Sequence, residues 1–317
     1  MAGRLAPAAF LWIAFAHAAN AQDAAQWLAR AAKAARELNY VGTIVYQIDG
    51  RVETSRLAHA FDNGVELEKL MSLDGPAREV VRTSSDVRYY YPDAKIVKVE
   101  PRTVGNAFPL LSPEQQRSLS QYYNFHVVSG ERVGGHAAEV VSFEPRDGLR
   151  YGHQFWSDAA TGLLLKARTV SERGDVVEQF AFTDLQVGTK IDRSLVEPSW
   201  PTLPPDWQVR QGSGGDLAQQ DTGWTVSRIP PGFAKVMEGF RKQRGKPKPV
   251  AHLVFSDGLV AISVFVEPLP PSMGDTGLSQ QGGLNIFRTK LDDHLITALG
   301  EAPGATVRQI GMSVVHR

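Results

Sequence analysis

Apolar and polar residues alternate with a period of two through most of the chain, and Asp-Gly and Asn-Gly pairs punctuate the alternation. Ile44, Tyr46 and Ile48 share one face of a predicted strand over 41–48, and Asp49-Gly50 turns the chain into a second strand over 51–61. Asn63-Gly64 and Asp74-Gly75 repeat the device, setting off strands over 65–73 and 77–83. Strands over 87–91 and 95–99 complete a meander. Ahead of it, Ala24, Trp27, Leu28, Ala31, Ala35 and Leu38 recur at three- and four-residue spacings, which predicts an amphipathic helix over 23–38 capped by Asp23. Arg150 to Thr169 reads as a hairpin turned by Asp158, Thr161 and Gly162. Both of its faces carry apolar bulk, so the second face meets a helix or a ligand.

From 101 to 121 the alternation fails around Phe108-Pro109-Leu110-Leu111, where a long loop with a short helix near Ser112-Pro113-Glu114 is expected. Strands resume at 124–129, 137–145 and 176–186. Ten or eleven strands joined by short turns imply a heavily twisted antiparallel sheet that closes or half-closes into a barrel, with one helix available to fill it. The stretch 198–222 then holds four prolines followed by Gly212-Ser213-Gly214-Gly215 and reads as a linker. Beyond it, strands at 234–240, 249–255, 259–267, 285–291 and 295–299 and a closing helix over 306–315 predict a small α+β domain. The fold class is therefore α+β, mostly antiparallel β. Its expected divisions are 1–21, 22–197, 198–222 and 223–317.

Composition narrows the function. Arg4, the apolar run Leu5 to Ala16 and the small-x-small triplet Ala19-Asn20-Ala21 predict a cleaved secretory signal over 1–21, and no later apolar run is long enough to span a bilayer. Thirty-four basic residues balance thirty-four acidic ones, so nothing points to nucleic acid or an anionic surface as the partner. With no cysteine, disulfides, thiolate nucleophiles and sulfur-ligated zinc are excluded. No nucleophile elbow, zinc-protease helix motif or phosphate loop occurs, and His59, His126, His136, His153, His252, His294 and His316 stand singly, as structural histidines do. An enzyme, a metal site and a cofactor are not expected. Arg241, Lys242, Arg244, Lys246 and Lys248 form the one dense charge cluster. It reads either as a solvated loop guarding an edge strand or as a dock for an acidic segment or a lipid phosphate.

Five stretches carry a resemblance: Tyr40 to Tyr46, the Tyr151 to Lys166 hairpin with its D-x-x-T-G-L-x-L-K core, Ile229 to Phe233, and above all Phe255 to Leu269, together with the exported N-terminus. The chain resembles the RseB/MucB family of periplasmic regulators of the envelope-stress factor sigma-E. The hairpin core is shared with periplasmic lipoprotein carriers of the LolA type, and a carrier is the alternative reading. The resemblance implies a LolA-like half-barrel plugged by a helix, a linker and a smaller C-terminal domain. It also implies a function: binding the periplasmic part of the anti-sigma factor RseA and shielding it from the protease DegS, with release by lipopolysaccharide or lipoprotein acyl chains. Homo-oligomerisation stays open. Some relatives carry a few cysteines where this chain has none. For an acyl pocket, alternating residues on predicted strands nominate Ile44, Tyr46, Tyr89, Tyr91, Phe143, Phe155, Phe180 and Phe182, each of which could equally be ordinary core. Arg241, Lys242, Arg244, Lys246 and Lys248 are the candidates for partner binding.

Overall fold

The computed structural model describes residues 26–102, 119–188, 190–212, 220–241, 249–270 and 274–317. The expected export signal, the loop tip around Phe108 and the cluster residues Lys242, Arg244, Lys246 and Lys248 lie outside the described residues.

A helix, α1, covers 26–37. Eleven strands follow: β1 (Tyr40–Ile48), β2 (Arg51–Asp62), β3 (Val65–Ser72), β4 (Glu79–Arg82), β5 (Asp86–Tyr91), β6 (Ile96–Pro101), β7 (Tyr123–Val133), β8 (His136–Pro145), β9 (Gly152–Asp158), β10 (Leu164–Val170) and β11 (Val176–Val187). With β12 (Gln208–Gln211) they make one twelve-stranded sheet in the order β12-β6-β5-β4-β3-β2-β1-β11-β10-β9-β8-β7. Its two end strands are not paired with each other. Every pair is antiparallel except β12 with β6. Asp49 and Asn63 take positive φ of 51° and 50° ahead of Gly50 and Gly64, the backbone that a two-residue hairpin turn requires.

The two faces of this sheet are covered differently. On one, α1 packs Trp27, Leu28 and Ala31 onto Val141, Phe143, Phe155 and Leu164, and Arg30 donates to the Ala159 and Ala160 carbonyls at 2.8 and 3.2 Å. On the other, the segment after β11 lays Val196 on Val41 and Ala58, then Trp200, Leu203 and Trp207 on Val81, Tyr90 and Val97. The proline-rich stretch at 198–222, expected as a linker without regular structure, is thus held to the sheet through Gly212, whose N–H donates to the Val99 carbonyl at 2.6 Å. Its tryptophans bury apolar area, and 208–211 adds a parallel edge strand.

The remaining strands are β13 (Trp224–Val226), β14 (Ala234–Arg241), β15 (Val250–Ser256), β16 (Ala261–Pro268), β17 (Gly277–Gln281), β18 (Leu284–Leu291), β19 (His294–Gly300) and β20 (Val314–His316), with α2 (Gly304–Met312) between β19 and β20. Six of them form an antiparallel sheet, β14-β15-β16-β19-β18-β17, and β13 pairs β20. The expected helix over 306–315 ends at Met312, and the chain then runs extended so that Val314 and His316 pair with Val226 and Trp224. Val307 and Ile310 of α2 complete the core of this second sheet. Among the described residues no helix is long and apolar enough to cross a membrane.

Candidate functional site

Residues directly opposite one another in an antiparallel pair share a face, so register assigns faces across the whole large sheet. Phe182 faces Ile44 and Phe180 faces Tyr46; Ala167 faces both Phe180 and Phe155, while Phe143, two residues from Val141, follows on β8. In the other direction Gly42, Leu57, Leu70, Val80, Tyr89 and Lys98 face one another in turn from β1 to β6. All eight residues nominated for a pocket therefore lie on one face, the face that α1 covers in part.

Their surroundings divide them. Phe143, Phe155 and Phe182 are buried to 0%, 8% and 4% exposure within the α1 core, so they are core and not open wall. Ile44, Tyr46, Phe180 and Tyr89 are half-buried, and Tyr91 is exposed. Leu57, Leu70 and Val80, which the sequence did not single out, are half-buried beside them and join β1 to Tyr89 in a continuous apolar row. The signal was present in their alternation, but the row depends on register between strands far apart in sequence.

Polar groups border this row along the strands. On one side Arg102 donates to Glu66 at 2.6 Å and Arg82 pairs with Glu68 at 3.0 Å. Burial opposes ionisation of Glu66, yet Arg102 and His59 hold its carboxyl below the ordinary range. His59 itself is fully buried, bonded to the Leu38 carbonyl at 2.7 Å and stacked on Tyr40, a structural histidine. On the other side Tyr46 donates its hydroxyl to Glu178 at 2.6 Å. Burial, then the Glu178 bond, push the Tyr46 hydroxyl well above its ordinary range, so it stays a neutral donor. One strand in from the sheet edge, Lys98 lies 5.7 Å above the Tyr89 ring.

The end of the large sheet beyond Tyr46 meets the small sheet. Arg150 and Asp257, with side chains 0% and 1% exposed, pair at 3.0 Å across that junction. Tyr123 donates to the same Asp257 oxygen at 2.9 Å, and Arg150 also donates to Asp147 and to the Pro231 carbonyl at 3.0 and 2.6 Å. Rings of Tyr122, Tyr123 and Phe233 surround the guanidinium at 4.6–5.6 Å. Asn285 donates to the Tyr151 hydroxyl at 3.0 Å, and Thr306 to the Leu149 carbonyl at 2.8 Å. Neither residue of this buried pair is among the candidates nominated from the sequence. Of the basic cluster, Arg241 ends β14 half-buried. Among the described residues no group of three or more acidic, histidine or cysteine side chains could hold a metal ion.

Comparison with known proteins follows this geometry. The MucB/RseB N-terminal domain model matches residues 23–200 and the MucB/RseB C-terminal domain model matches 218–315. Sigma factor AlgU regulatory protein MucB of Pseudomonas aeruginosa is 31% identical over 309 residues, covering 94% of this chain and 92% of that one. Sigma-E factor regulatory protein RseB of Escherichia coli K12 is 28% identical over 282 residues, 89% and 87% of the two chains. A crystal structure of MucB in complex with MucA(peri) matches at a TM-score of 0.71 and 31% identity, covering 93% of this chain and 99% of that one. The chain belongs to the MucB/RseB family, and the relatives named above are regulatory proteins of sigma factors.

Proposed function

We propose that this chain is a periplasmic negative regulator of a sigma-E-type envelope-stress response. It is exported by a cleaved signal over 1–21 and works as a LolA-like half-barrel over 22–197, plugged by α1, with 198–212 packed against the sheet ahead of a C-terminal domain over 223–317. It binds the periplasmic part of an RseA-type anti-sigma factor and shields it from DegS. Acyl chains of lipopolysaccharide or mislocalised lipoprotein enter against the open face and release that grip. The observation that carries the reading is likeness over nearly the full chain to MucB, which has been crystallised with MucA(peri). The apolar row Leu57–Leu70–Val80–Tyr89 supports the acyl part, since half-buried aliphatic groups beside ion pairs suit a chain with a charged head.

The test is cleavage of the partner's periplasmic segment by DegS with and without the mature chain. Protection is expected, relieved by multi-tailed lipopolysaccharide and not by a single-tailed detergent of like charge. Leu70→Asp with Val80→Asp should keep protection and lose the lipid response. A cleavage rate that ignores the chain would sink the reading.

A further inference from the structure

The large and small sheets touch at two places with opposite chemistry. One is the buried Arg150–Asp257 pair, where acid meets base at 3.0 Å. At the other, the ends of β1 and β11 meet the turn between β17 and β18. The approach is close enough that a Cβ built on Gly283 would sit 2.8 Å from Val177, and one on Gly282 3.1 Å from Ile48. Next along β11 stands Glu178, half-buried, and its carboxyl is hydrogen-bonded to that of Glu301, in the bend between β19 and α2. Two ionised carboxylates are acceptors only, so this bond exists while one of the pair holds a proton.

No base compensates the pair. Among the described residues neither carboxyl makes an ion pair with a lysine, an arginine or a histidine. Tyr46 on β1 donates its hydroxyl to Glu178 at 2.6 Å, and Thr169 on β10 donates at 3.3 Å. Behind Thr169 lies the His153 ring of β9, its Nδ1 3.5 Å from the threonine hydroxyl. Burial holds that histidine at about 4, so near neutrality it supplies no counter-charge. On β2 Glu53 lies opposite Tyr46 and is already paired with Arg78, while Arg51 lies opposite Ile48. From the small sheet Asn285, opposite Gly300, is bonded to the Tyr151 hydroxyl. Both donors to Glu178 serve its ionised form, so Glu301 takes the proton. Burial, then the Glu178 carboxylate, raise it from 4.5 to about 7.

We propose that Glu178 and Glu301 form a proton-operated latch between the two sheets. One shared proton closes it in acid. Loss of that proton to solvent sets carboxylate against carboxylate, and the sheets part there while Arg150 and Asp257 hold as the pivot. Because the closed form binds the proton more tightly than the open one, closure is favoured fully below about 4.5, and the advantage is lost as pH rises through about 7. Under the proposed regulatory reading, the latch gives the two-lobed chain acidity as an input beside lipid.

The experiment measures the separation of the sheets directly. The chain has no cysteine, so Arg173→Cys and Gln281→Cys, both exposed and on opposite sides of the contact, carry the only two spin labels. Electron–electron double resonance on the full mature chain should show a longer-distance population whose ratio to the short one rises about fivefold from pH 5 to pH 8. The rise is modest because Glu301 reaches solvent and screening weakens the repulsion. Glu301→Gln should hold the ratio within about twofold of its pH 5 value throughout, since the amide donates to Glu178 at any pH. Should that variant misfold by circular dichroism, Glu178→Gln takes its place, with the amide donating to Glu301. A parent ratio that stays flat from pH 5 to pH 8, or a rise that persists undiminished in the glutamine variant, overturns the latch. Loss of circular dichroism over the same range assigns the change to unfolding and overturns it too. The measurement needs no partner, so its failure leaves the functional reading standing.

Discussion

Replacing Asp257 by alanine should cost about 3–5 kcal/mol, because it breaks a buried ion pair by removing one partner. One of its oxygens accepts from Arg150 and Tyr123 at 3.0 and 2.9 Å, and the other from the Leu259 and Val260 amides at 3.0 and 2.9 Å. Removing the carboxylate leaves the Arg150 charge with Asp147 and a carbonyl, and strands a tyrosine hydroxyl and two amides out of water. Each neutral orphan alone costs about 1–3 kcal/mol, so the pair estimate is a floor unless water enters the junction. Urea unfolding followed by tryptophan fluorescence reads the loss, provided the two sheets unfold together. A double-mutant cycle supplies the sharper test: Arg150→Met with Asp257→Leu should be less destabilised than Asp257→Ala alone, since no charge is left buried without its partner. A single variant that loses under about 1 kcal/mol, or a cycle with coupling under about 0.5 kcal/mol, would refute the reasoning.

Gly42→Ala should destabilise by about 1–3 kcal/mol, since a Cβ there would sit 2.4 Å from the Asp184 carbonyl oxygen and 2.8 Å from the Phe182 ring. Gly148→Ala, facing open space, should stay within about 0.5 kcal/mol; equal midpoints for the two variants in thermal unfolding would contradict this. Burial holds His153 at about 4, and burial with Arg241 does the same for His252. Both lie below the unfolded value of about 6.5, so the native state binds fewer protons in that window, and stability present above it is lost as pH falls, at most about 3 kcal/mol each. Glu301 has the opposite sign: burial, then the Glu178 carboxylate, raise it to about 7, so stability falls as pH rises toward 7. The Glu301 residue as a whole reaches solvent although its carboxyl is partly withdrawn from it, and screening leaves about 1 kcal/mol of this. The advantage of Glu301→Gln over the parent in urea midpoint should therefore grow from pH 5 to 8, and parallel curves would count against the assignment.

The eleven strands between Tyr40 and Val187 were legible through a local rule, period-two alternation, which in most of them is ended by a residue at positive φ. Asp158 plays the turn role read for it, accepting from the Thr161 amide at 2.7 Å. β12 was not legible, since a parallel edge strand of four residues in a proline-rich stretch carries no alternation of its own. Asp257 shows the limit within a single side chain. The oxygen that accepts from Leu259 and Val260 follows from the Ser-Asp-Gly turn, while the oxygen that meets Arg150 and Tyr123 answers to residues more than a hundred positions away. The pocket candidates divide the same way. Period two put all eight on one face, but which of them α1 would cover depended on packing that no local pattern encodes.

The half-burial of the open row also bears on what could occupy it. A chain of about a dozen methylenes yields ~10 kcal/mol if wrapped on every side, at ~0.8 kcal/mol each. Laid along Leu57, Leu70, Val80 and Tyr89 it is covered by the described residues from one side only, and those side chains have already left water in part, so about half of that remains. Association costs ~4–15 kcal/mol, which a single tail on one wall does not recover. Two or more tails side by side cover one another as well as the wall, and a shared headgroup incurs the association cost once. On the proposed reading, a wall with one open side would favour multi-tailed over single-tailed lipids without any contact specific to the headgroup.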